Sequence, residues 1–116
     1  MTIQRIRPGK RMSGAVVHAN TVYLAGQVAN ATAGGSVADQ TQEILSIIDG
    51  LLAEAGTDKS RLLMANIWLT DIATFQEMNG VWDAWVSPGN TPARATVEAK
   101  LAAPQFKVEI EVIAAK

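Results

Sequence analysis

Two runs near the end of the chain alternate with a period of two residues, and they constrain the fold more than any other feature. Pro92 cannot donate to a strand ladder and so suits the start of a strand. After it, Ala93, Ala95, Val97 and Ala99 alternate with Arg94, Thr96, Glu98 and Lys100. Val108, Ile110 and Val112 alternate in the same way with Lys107, Glu109 and Glu111. Each run predicts a strand with one apolar and one charged face. Arg94 then has two readings. It is either a strand arginine paired with Glu109 or Glu111, worth at most about 1 kcal/mol if solvated, or a fork that grips a small carboxylate by two charge-assisted bonds.

The preceding elements must pack against these strands. Arg61–Thr70 predicts a long strand with Leu63, Ala65, Ile67 and Leu69 on one face and Leu62, Met64, Asn66 and Trp68 on the other. Both faces are mostly apolar, so both should be buried. Ser36 is a plausible N-cap for a helix whose stripe is Val37, Thr41, Ile44, Leu45, Ile48, Leu51 and Leu52, ending at Gly56. Thr74-Phe75-Gln76-Glu77 is a capping-box pattern opening a second helix, with Met78, Val81, Trp82 and Trp85 on one face and Asn79 on its flank. Pro88-Gly89 ends it. In the first half, Ala15–His18 and Thr21–Ala25 predict a hairpin around Ala19-Asn20, where asparagine tolerates left-handed geometry. Gly26 then permits close approach of another backbone or of a ligand. A further short strand is expected over Ile3–Ile6. The order gives an α+β single domain over residues 1–116: a mixed sheet with two helices on one face. The helices can cover one sheet face, and a partner subunit is the natural cover for the other.

Composition narrows the chemistry. With 116 residues and 12.3 kDa the chain holds one core. There is no cysteine and a single histidine, His18, so thiol chemistry and a histidine-rich zinc site are excluded. No GxGxxG or P-loop pattern appears, and no cofactor or metal is expected. A net charge of −1 without a basic run argues against nucleic acid as the main partner. No segment approaches the ~20 apolar residues of a membrane span. No signal-peptide core follows Met1–Arg5, so a cytoplasmic location is expected.

Pro92-Ala93-Arg94, followed by Val108-Glu109-Ile110-Glu111 and an Ile-Ala end, resembles the C-terminal signature of the reactive intermediate deaminase family, the RidA/YjgF-like proteins. Leu24-Ala25-Gly26-Gln27-Val28 is similar to the family's Gly-Gln segment, and Asp71–Phe75 with Met78-Asn79 to the stretch leading into its second helix. The resemblance runs the length of the chain in order. It implies a chorismate-mutase-like α+β fold assembled as a homotrimer with ligand clefts between subunits. It also implies cofactor-free hydrolysis of 2-imino acids, and of the 2-enamino acids that tautomerise to them, to 2-oxo acids and ammonia.

On that resemblance Arg94 is the carboxylate clamp and Glu109 the residue that orders or activates water, with Glu111 as the alternative acid. Gly26, Asn79 and Thr96 complete the polar lining. Met12, beside Arg11, stands where many members carry an aromatic residue, and Thr96 stands where some carry cysteine. Were Arg94 and Glu109 to face one cleft, the arginine would keep the glutamate ionised. The alternative reading is a trimeric protein that binds small carboxylates without turning them over.

Overall fold

Alternation and helical periodicity resolve into seven strands and two helices in the computed structural model, which describes residues 2–116. The strands are β1 (Ile3–Pro8), β2 (Ser13–His18), β3 (Thr21–Leu24), β4 (Gln27–Val28), β5 (Leu62–Leu69), β6 (Ala93–Glu98) and β7 (Val108–Ala115). The helices are α1 (Val37–Glu54) and α2 (Phe75–Trp85). The sheet runs β1-β2-β3-β7-β5-β6, with β4 also on β7. Only the β5–β6 pair is parallel, and it spans the α2 crossover. The mixed α+β architecture therefore stands as expected.

α1 forms where the stripe predicts it. Val37, Ile44, Leu45, Ile48, Leu51 and Leu52 are all at most 4% exposed, and Ser36 caps the helix by accepting from the Asp39 N–H at 3.1 Å. The helix ends at Gly56, whose φ of +82° suits glycine. Its last turn carries no basic residue, and Arg7 of β1 supplies one by pairing with Glu54. Gln40, which the stripe omits, is fully buried. Its amide donates to the Gly35 and Gln105 carbonyls and accepts from the Lys107 N–H at 2.9 Å, pinning the entry into β7 to α1.

Three local expectations are corrected. Ala19, not Asn20, takes the left-handed conformation of the hairpin turn, with φ +53°. A bulge between Leu62 and Met64 moves Leu62 onto the face of Ala65, Ile67 and Leu69 and leaves Leu63 51% exposed. Thr74 makes no capping bond. Its hydroxyl donates to the Asp71 carbonyl, and Glu77 instead accepts from the Ala38 N–H at the start of α1.

The register also fixes the faces of β6. Ala65 pairs with Arg94 on one side and Val112 on the other, and Trp68 pairs with Val97 and Glu109. Paired residues point the same way. Ala65, Ile67, Leu69, Val108, Ile110 and Val112 share one core with Ile44, Ile48 and Met78 of the helices. Arg94 and Thr96 therefore lie on the helix-covered side of the sheet, and it is the apolar set, Ala93, Ala95 and Val97, that faces outward on the uncovered side. That side also displays Tyr23, Met64 and Trp68, none of them fully buried. Among the described residues no helix is long and apolar enough to cross a membrane.

Candidate functional site: two half-sites on opposite faces

β6 is an edge strand of the sheet, and its helix-side residue Arg94 meets α2. Phe75, Asn79 and Trp82 fall one turn apart along α2 and share a face. The Arg94 guanidinium carbon lies 5.2 Å from the Trp82 ring centre and 5.7 Å from that of Phe75, within cation–π range. Arg94 has no acidic partner: the salt bridge among the described residues joins Arg7 to Glu54. The ion-paired reading of Arg94 is thus set aside within the protomer, and its N–H edges keep their capacity for an anion.

Two oxygens nearby carry the same message. The side-chain oxygens of Asn79 and Thr96 are buried without a hydrogen-bond partner. Leaving a buried polar group unpaired costs about 1–3 kcal/mol, a cost that a bound ligand would relieve. Arg94, Thr96 and Asn79 are the first candidate half-site.

The second half-site lies on the other face. β3 and β4 both pair with β7 and are interrupted at Ala25-Gly26. The Glu109 carboxylate fills the space over Gly26: a Cβ there would fall 3.0 Å from the carboxyl carbon and nearer still to Oε2. A side chain thus makes the close approach at Gly26, where the sequence predicts another backbone or a ligand. Glu109 is partly buried on the sheet, and its pKa is raised above the ordinary glutamate value, first by burial and then by the neighbouring Glu111 carboxylate. Arg94 does not hold it ionised within the protomer, because the two residues project from opposite faces. Glu111 sits on the same face as Glu109 and takes a long contact from the Asn66 amide at 3.4 Å.

Met12 lies in the loop between β1 and β2. The Gly14 carbonyl accepts from the Ala25 N–H at 2.9 Å, which brings the β1–β2 loop to the end of the sheet where Gly26 lies. Met12 is 64% exposed there, at the opposite end of the strand order from β6. His18 is exposed at the far end of β2, away from both half-sites. Among the described residues no group of three or more His, Asp or Glu gathers as a metal-holding cluster. The sequence did not single out Phe75 as a neighbour of Arg94. Its position four residues before Asn79 and seven before Trp82 was the available signal.

Fold and site together define a small mixed-sheet α+β protein with an anion-receptive arginine at the sheet edge and a basic-shifted glutamate on the open face. The chain belongs to the family described as Endoribonuclease L-PSP, whose profile matches residues 2–116. It is 49% identical over 114 residues to a RutC family protein of Haemophilus influenzae, covering 98% of each chain. It is 44% identical over 115 residues to the RutC family protein YoaB of Escherichia coli strain K12, covering 99% of each. The crystal structure of a YjgF family member from Neisseria meningitidis matches with a TM-score of 0.96 and 46% identity, covering 100% of this chain and 96% of that one.

Proposed function

We propose that the assembled protein hydrolyses 2-imino acids, and the 2-enamino acids that tautomerise to them, to 2-oxo acids and ammonia. The reaction takes place in clefts between the subunits of a homotrimer. The observation that carries this reading is Arg94, a half-buried guanidinium with no acidic partner, beside two buried side-chain oxygens that lack hydrogen bonds. A site of this kind accepts a small carboxylate bearing further polar groups.

Because Arg94 and Glu109 occupy opposite faces of one sheet, a site using both takes them from two protomers. The uncovered sheet face, with Tyr23, Met64, Trp68 and Val97, supplies a surface for that assembly. Arg94 of one subunit holds the substrate carboxylate and orients the adjacent C=N carbon. Glu109 of the neighbour takes a proton from water as the water oxygen bonds to that carbon. It returns that proton to the nitrogen of the adduct, which formed from the protonated imine, and accepts the adduct's hydroxyl proton as the C=O bond forms, the C–N bond breaks and ammonia leaves. A glutamate with a raised pKa is a better proton acceptor than an ordinary one, which suits this exchange. The family description names an endoribonuclease. A net charge of −1 and an isoelectric point of 5.7 give a polyanion little electrostatic attraction, which favours the small-carboxylate reading.

The test is the rate at which freshly released 2-imino acids become 2-oxo acids. Acceleration by the wild type and its loss by about a hundredfold or more in Arg94→Ala, with the fold intact, is the expected result. No acceleration on any imine leaves a carboxylate-binding protein without turnover.

A further inference from the structure

Resting on the carboxylate-clamp reading above, we propose that Trp82, assisted by Phe75, is the positioning residue of the site: an aromatic seat that holds the Arg94 guanidinium in place of a carboxylate partner. Arginines on protein surfaces are commonly held by Asp or Glu. At a site that must receive an anion, such a partner occupies the same N–H edges and cancels the same charge. An aromatic face avoids both losses, because it attracts the cation through the ring quadrupole while the N–H donors lie in the guanidinium plane and remain free.

The geometry meets the requirements of a seat. The guanidinium carbon stands 5.2 Å from the Trp82 centroid and 5.7 Å from that of Phe75, so two rings on one face of α2 both lie within cation–π range of it. Trp82 is 5% exposed and is itself fixed. Its ring packs on Trp85 with centroids 5.4 Å apart and planes tilted by 52°, and the Trp85 indole N–H donates to Asp49 of α1 at 3.0 Å. The chain Asp49–Trp85–Trp82–Arg94 thus runs from the long helix to the clamp. A long, flexible side chain on an edge strand is held in one orientation before the substrate arrives, and less of its rotamer freedom remains to be lost on binding.

Two measurements on the full assembled protein test this. In the unliganded protein, the Arg94 Nε–H signal should be ring-current shifted and as ordered as the backbone in the wild type. Trp82→Phe should preserve both features, and Trp82→Leu should remove both. A mobile, unshifted Arg94 signal in the wild type overturns the seat whatever the ligand turns out to be. Second, affinity for pyruvate and 2-oxobutanoate, together with the KM for the corresponding imines, should weaken about five- to tenfold in Trp82→Leu and recover in Trp82→Phe. In an Arg94→Ala background the Trp82→Leu change should have no further effect, because the seat acts only through the arginine. Equal losses in both backgrounds mean general packing and overturn the proposal. If the wild type binds no 2-oxo or 2-imino acid, the clamp reading fails by itself, while the Nε signal still decides whether the seat exists.

Discussion

Gly26 and Glu109 show how much a single side chain can decide. Glycine at residue 26 leaves the volume that the Glu109 carboxylate occupies. Gly26→Ala would push the flexible end of that glutamate aside without forcing the backbone. Stability should change by no more than about 1 kcal/mol in denaturant unfolding, while imine turnover falls by about tenfold through misplacement of the base. Glu109 also sets the pH response. Its pKa is raised by burial and by Glu111, so the neutral form is the one the fold favours, and the base loses its proton at a higher pH than an ordinary glutamate. Activity should decline on the acid side from a midpoint above the usual value of 4.5. Removing the Glu111 charge removes one of the two causes. Glu111→Gln should therefore move that midpoint to lower pH, though not fully to the ordinary value, as read from kcat/KM against pH. Arg94, Gly26 and Glu109 stood out as motifs. Their separation to two sheet faces was not legible, because alternation shows which residues share a face of their own strand but not how two strands are registered.

At the scale of elements, periodicity was a sound guide wherever one partner surface decided burial. α1 buries its full apolar stripe, and β7 buries Val108, Ile110, Val112 and Ala114. It left the facing of β6 open, and there the apolar face is turned away from the helices and the face bearing Arg94 and Thr96 is turned toward α2. A hydrophobic pattern marks which side must avoid water, and a subunit interface serves that need as well as an internal core does. The Thr74–Glu77 pattern misled for a related reason: Glu77 has a tertiary partner, the first turn of α1, that its own helix cannot offer. Gln40 is the counterpart, a polar residue hidden inside a stripe. Gln40→Leu would strip buried backbone groups of Gly35, Gln105 and Lys107 of their partners. It should lower unfolding stability by about 2–4 kcal/mol, measured by urea denaturation.

At the scale of the molecule, the proposed function makes one protomer an incomplete site. Its sheet is covered by helices on one face only, and the other face presents Tyr23 at 46% and Val97 at 50% exposure. Long apolar faces on β5 pointed to an uncovered sheet face in the sequence, since two helices could not cover both sides of a mixed sheet. The number of copies follows from the family resemblance alone. The most direct measurement of the central claim is complementation. Arg94→Ala and Glu109→Ala chains, each inactive alone, are unfolded, mixed in equal amounts and reassembled, and imine hydrolysis is assayed. If each cleft takes Arg94 from one subunit and Glu109 from the next, about a quarter of the clefts regain both residues and about a quarter of wild-type activity returns. A mixture as inactive as its components contradicts the account.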